Sequence, residues 1–297
     1  MATAGADRGH SPGDRPLILR IFGALVRAIL VVVVLALPSL ILPGFNSDTA
    51  QIVALIAIFG AGLTFFEYAS SYPGLVEFRD APPFNRIRFG SLALTLVALA
   101  LMTRGAMMPT QLTMFVTAIG EVIGRVIDFP YSPVRLVVLM LPPDTSEAHI
   151  ALVRNSAGMA YLISLVTLGV FMILQRVRRW PLRNGAFNVW VNLPTFDPTA
   201  GGDVVERLER DARFNVALGF LLPFLTPAAV KSATALFGSV SLENPHTLIW
   251  TVAAWAFLPA SLFMRGIAMG RIAGMIAEKR KTTKAGDEET RAGLLPA

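Results

Sequence analysis

The sequence predicts an all-α integral membrane protein: six transmembrane helices plus a re-entrant or interfacial helical hairpin on the outer face. Three observations carry this. Of 297 residues, 54% are hydrophobic and 15% charged, where a soluble domain carries roughly 25% charge. The apolar residues fall into long runs, and about 20 residues cross a bilayer core as a helix. The basic residues gather in alternate connecting segments, the pattern that orients membrane proteins.

The longest polar interruption, residues 176–215, separates two hydrophobic blocks and carries seven of the 26 basic residues. It reads as the main cytoplasmic face, with residues 176–213 as a loop along the membrane. Trp180 and Trp190 are expected there as interface anchors. The membrane domain covers 15–281. The polar segment 1–14 and the tail 282–297 read as disordered cytoplasmic ends.

Span 1 covers about 21–42, with Arg15, Arg20 and Arg27 near its start and Pro43-Gly44 at its end. The first apolar run is long, so it reads as an anchor rather than a cleaved signal. Span 2 covers about 49–68, where Glu67 is the acidic residue expected nearest hydrocarbon depth. Its reading is a snorkelled carboxylate beside Tyr68, with a relay role as the rival. A polar loop with Pro73-Gly74 and Pro82-Pro83 leads to span 3, about 87–103.

Residues 104–146 are expected to form the hairpin. Polar residues at 110, 113, 117, 121, 125 and 128 make one stripe of a helix. Pro130 and Pro133 break it, and 134–141 is apolar but too short to span.

Span 4 covers 147–174, and Asp144 with Glu147 has capping-box spacing. Span 5 covers 214–237. Its helix is expected to start in the cytoplasm after Gly201-Gly202-Asp203 and to kink at Pro223 and Pro227. Asn244-Pro245 starts span 6, about 246–269 and helical on to Lys281.

With both termini in the cytoplasm, the inside segments hold 21 basic residues and the outer positions five: Arg104, Arg125, Arg135, Arg154 and Lys231. That is a strong positive-inside bias. The 22 Arg to 4 Lys point to a GC-rich bacterial genome, hence a bacterial inner membrane. With no cysteine, disulfides and thiolate chemistry are excluded.

Four constellations are candidates for function. Arg79-Asp80 with Asn85 echoes Arg210-Asp211 with Asn215, each before an inside-to-outside helix. The pair could form a cytoplasmic surface for a partner or anion, or anchor the interface. As solvated pairs, each is expected to contribute below about 1 kcal/mol to stability. Glu121, Arg125 and Asp128 form an outer polar stripe, either a wet helix face or the lining of a solute path. Glu147 with His149 and Glu243 with His246 open spans 4 and 6, and are weak metal candidates because no short ligand motif exists. Gly266, Gly270 and Gly274, four residues apart, would let a helix approach closely.

No P-loop, dinucleotide fingerprint or nucleophile elbow is present. The sequence therefore points to a non-enzymatic subunit, scaffold or assembly factor of a membrane complex. A small-solute transporter or channel is the alternative, and a lipid-acting membrane enzyme is third. No cofactor and no nucleic acid are expected. The partners are the lipid bilayer and other membrane proteins or further copies of the chain.

Overall fold

In the computed structural model the described residues are 17–44, 47–177, 180–181, 188–197, 199, 201–237 and 242–293. Among them the chain is all-helical, with α1 Leu17–Ile41, α2 Ser47–Ala69, α3 Phe84–Met107, α4 Gln111–Ile127 and α5 Pro133–Leu139. There follow α6 Glu147–Val177, the single turn α7 Val189–Asn192, α8 Val204–Phe237 and α9 Pro245–Gly293. Six of these, α1, α2, α3, α6, α8 and α9, are long and apolar enough to cross a membrane.

The long helices form a layered row. α3, α6 and α9 pack on one another in the centre. α1 lies on α3 and carries α2, which among the described helices touches α1 alone. On the other flank α8 rides on α9, with a smaller contact to α5. Burial follows this order. Ala57 is the one buried residue of α2 among those described, whereas α9 buries a continuous row from Leu248 to Met275.

The core divides between the two ends of the row. At one end Leu96, Leu99 and Ala100 of α3 meet Val153, Ala157 and Ala160 of α6, with Ile249, Val252 and Ala253 of α9. α5 is part of this end, through Val134 and Val137. At the other end, rich in loops, Phe78, Phe84, Phe171 and Trp180 make an aromatic cluster over Met264, Met269 and Ile272. Trp180 is therefore a core residue rather than an interface anchor. Its indole donates to the Ala81 carbonyl at 3.0 Å, which satisfies its polar atom as burial requires. The side chain of Trp190 lies outside the described set.

Two helix starts follow the sequence, and one is displaced. Asp203 Oδ1 accepts from the Val205 and Glu206 amides, and Asn244 Oδ1 accepts from those of His246 and Thr247. For α6 the cap is Ser146, whose hydroxyl accepts from His149 N–H at 3.3 Å, rather than Asp144. Pro227 in α8 has no N–H to give the Pro223 carbonyl. Trp255 Nε1 of α9 donates to that carbonyl instead, at 3.0 Å. A neighbouring helix thus satisfies the carbonyl that the proline leaves free.

At the C-terminus the expected loose segment from Thr282 is helix as far as Gly293, continuous with α9. No proline lies between Thr282 and Gly293 to break the helix, and the single interior glycine, Gly286, does not end it. The expected disordered segment 1–14 and residues 294–297 lie outside the described set.

Candidate functional site

The loop-rich end holds a polar cluster that joins four parts of the chain. Glu77, in the loop between α2 and α3, makes a two-pronged ion pair with Arg265 of α9. Arg265 Nε lies 2.6 Å from Glu77 Oε2, and Nη2 lies 2.8 Å from Oε1. The Glu77 and Arg265 side chains are only 11% and 26% exposed. Thr195 adds a hydroxyl donor to Glu77 Oε1 at 2.5 Å. Asn85, on the first turn of α3, donates to the Glu77 backbone carbonyl at 2.7 Å.

Arg88, one turn further along α3, enlarges the cluster. Its Nε donates to Ser261 Oγ of α9 at 3.1 Å, and the Phe84 and Phe257 rings flank its guanidinium. Among the described residues no carboxylate lies within ion-pair distance of it. Glu77 attracts it and Arg265 repels it through space. Asp211 of α8 likewise acts on Arg265. Glu77 thus sits between two guanidiniums, and Asp211 adds the field of a second carboxylate at Arg265. The two ring faces add cation–π attraction that helps hold the Arg88 guanidinium in place.

The loop is fixed by its own backbone. The Glu67 carboxylate accepts from the amides of Gly74, Leu75 and Val76 at 2.9–3.1 Å. Glu67 thus staples the loop start instead of only snorkelling. Asn192 Oδ1 accepts from Asp80 N–H at 3.0 Å, and the Asn192 carbonyl accepts from Phe78 N–H at 2.7 Å. These bonds seat the loop against α7.

The two echoed motifs occupy different geometries. Arg79 is 9% exposed and donates to the Glu67 and Ser70 carbonyls at 3.0 and 2.7 Å, closing the C-terminal end of α2. Its contact with Asp80 is longer, at 3.5 Å. Arg210 is 72% exposed and lies 4.0 Å from Asp211 within the body of α8. Asn215 donates to the Asp211 carbonyl inside the same helix. The expectation that both arginines are solvated holds for Arg210 only. Arg79→Ala is expected to cost about 1–3 kcal/mol, as charge-assisted bonds to otherwise unmet helix carbonyls are lost. Arg210→Ala is expected to stay within about 0.5 kcal/mol. Melting temperatures of the two single variants in the same detergent check this contrast.

At the opposite end the outer polar stripe is mostly a packing seam. Thr113 and Thr117 face Gly105 of α3, and Gly120 and Gly124 lie against Met102 and Asn155. Glu121 and Arg125 form a surface ion pair at the seam's edge. The Asp128 side chain is 8% exposed and meets Arg135 Nε of α5 at 2.8 Å, joining the two helices of the hairpin. Arg104 donates to the Ile41 carbonyl at 2.8 Å and closes α1.

The three glycines of α9 behave differently from one another. A Cβ at Gly266 would stand 2.6 Å from the Ala212 carbonyl, so α8 packs directly on its backbone. One at Gly270 would make ordinary contact, and Gly274 faces open space. The partner helix is therefore α8 of the same chain.

Glu147, His149, Glu243 and His246 sit at the starts of α6 and α9. Among the described residues no group of three or more His, Cys, Asp or Glu is placed to hold a metal. Away from the spans, the Asp203 carboxyl is held below the usual range by Arg280 and the Val205 amide.

Glu77, Arg265, Arg88, Ser261 and Thr195 were not picked out in the sequence. The available signal was Arg265 inside the run from Ala260 to Ala273, since an ionisable residue in a span implies a partner. Nothing near it in sequence names Glu77, which lies 188 residues away. The chain matches no family model, no curated protein and no solved structure.

Proposed function

We propose that the chain is a multi-pass protein of the bacterial inner membrane, with both termini in the cytoplasm. In this reading it acts without chemistry of its own, as a subunit, scaffold or assembly factor of a membrane complex. The observation that carries it is the flank formed by α2. Among the described helices it leans on α1 alone, and it leaves Ile52, Leu55, Phe59, Leu63 and Phe66 exposed. Hydrocarbon can cover such a face, and so can helices of another membrane protein.

Membrane insertion draws support from α4, which is amphipathic the wrong way round for water. Thr113, Gly120 and Gly124 are buried, whereas Leu112, Phe115, Ile119, Val122 and Val126 are exposed. Lipid, with no cost for apolar surface, rewards that arrangement through close small-residue packing inside. With six crossings, α4 and α5 form a hairpin that enters and leaves on the outer side. The arginine bias assigns the loop-rich end to the cytoplasm.

Single cysteines in this cysteine-free chain test the topology. Ser146→Cys is expected to react with an impermeant thiol reagent in intact cells, and Thr199→Cys only after lysis. The reverse pattern would sink the assignment. A photo-crosslinking residue at Phe59 tests the role. Protein adducts of defined mass are expected, and adducts to lipid alone would count against a scaffold. Transport of a small anion is the second reading, favoured by Arg88, which has no carboxylate within ion-pair distance among the described residues. Solute-dependent thermal stabilisation in detergent would support it.

A further inference from the structure

A cavity of about 400 Å³ lies between the end of α6 and the middle of α9, lined by Gln175, Arg176, Ile267 and Arg271. It sits at the loop-rich end, outside the Glu77–Arg265 cluster. Its charge is one-sided, with two guanidiniums and no carboxylate among the described lining residues. Arg176 is exposed and makes no hydrogen bond or ion pair among the described residues. Arg271 lines the cavity and places Nε 3.5 Å from the Trp180 carbonyl, and its terminal nitrogens make no hydrogen bond or ion pair among the described residues. Arginine forks of this kind match phosphate oxygens.

The surface leading away from the cavity says what the phosphate is attached to. On α6, Leu165, Gly169, Met172 and Arg176 recur at helical spacing and share one face. Leu165 and Met172 are exposed, and a Cβ at Gly169 would meet nothing within 4 Å. The face is therefore an open apolar track that begins at Arg176 and runs toward the middle of the helix. Ile267 supplies an apolar wall beside the two arginines.

We propose that this cavity binds the phosphate of an anionic phospholipid from the cytoplasmic leaflet, with one acyl chain along Leu165, Gly169 and Met172. Basic clefts between spanning helices at the cytoplasmic surface suit that headgroup chemistry. A free phosphate would use the same arginines but not the track. The inference rests on the membrane reading above and is independent of the scaffold role.

The test uses the full chain in nanodiscs and native mass spectrometry after mild release. Phosphatidylglycerol and phosphatidylcholine with matched acyl chains are supplied in competition. The wild type is expected to retain phosphatidylglycerol over phosphatidylcholine by about tenfold. Arg176→Gln with Arg271→Gln is expected to abolish the preference, and Arg125→Gln at the far end to leave it intact. Arg176→Gln alone removes an exposed side chain with no internal bond, so it reports on the site even where the double variant fails to accumulate. A preference unchanged in the Arg176→Gln variant overturns the proposal. So does displacement of phosphatidylglycerol by millimolar inorganic phosphate, which would mark a soluble-anion site. A chain that enters nanodiscs without lipid preference sinks the cavity assignment alone. A chain that fails to enter sinks the membrane reading with it.

Discussion

Arg265→Ala is expected to lower stability by about 2–4 kcal/mol, at or just below the range for breaking a buried ion pair. The substitution leaves the Glu77 carboxylate in a largely enclosed place with the Thr195 hydroxyl as its remaining donor among the described residues. Glu77→Ala is expected to be milder, because Arg265 keeps the Thr195 oxygen at 3.3 Å and the field of Asp211. Removing both side chains together should cost less than the sum of the two single losses. Each single variant leaves a charge without its partner, whereas the double variant leaves none. A coupling of about 1–3 kcal/mol is the expected size for groups in one network. Thermal unfolding of the four proteins of this cycle, in one mild detergent, measures it. Strict additivity would mean that the pair does not hold the loop to α9.

This pair also marks where sequence reading stops. The six apolar helices were legible because hydrocarbon thickness sets helix length, and composition alone reports a run of the right length. Helix starts were legible where Asp203 and Asn244 cap, since capping depends on residues two or three apart. The misplaced cap of α6 shows the limit of the same rule. Both Asp144 and Ser146 are competent acceptors, and local geometry chose the one adjacent to the helix. Trp180 was misread because an interfacial tryptophan and a buried one share the same sequence context. Only the arrival of Phe78, Phe84 and Phe171 from three other segments makes it a core residue. The candidate site was the least legible part. Its members come from the loop after α2, the first turns of α3, the loop after α7 and the middle of α9, and no spacing rule connects them. The echo of Arg79-Asp80 and Arg210-Asp211 was real as a string of letters. Burial separates the copies, because one lies in a folded loop and the other on the open side of a helix.

Gly266 and Gly274 should respond in opposite ways to the same substitution, although the sequence presents them as equal members of one stripe. At Gly266 a methyl group would stand 2.6 Å from the Ala212 carbonyl oxygen and 2.8 Å from the Val216 amide nitrogen. Both are backbone atoms of α8, so no side chain can swing aside to make room. Relief requires α8 and α9 to separate, along a contact where a Cβ added at Gly219 would likewise stand 2.7 Å from the Pro259 carbonyl oxygen and the Phe263 amide nitrogen. Among the described helices α8 has no other broad support, since its remaining contact is the small one with α5. Gly266→Ala is therefore expected to cost about 1–3 kcal/mol, the range for overpacking, and Gly266→Leu more. At Gly274 an added Cβ meets nothing within 4 Å. Gly274→Ala removes glycine's conformational freedom from a helix interior and is expected to be neutral or stabilising by up to about 1 kcal/mol. Melting temperatures in one detergent distinguish the two, with Gly270→Ala, whose Cβ would make ordinary contact at 3.7 Å, expected between them. Equal destabilisation at 266 and 274 would mean that the far end of α9 packs against a second molecule, and that the α8 contact is not the one that selects for glycine.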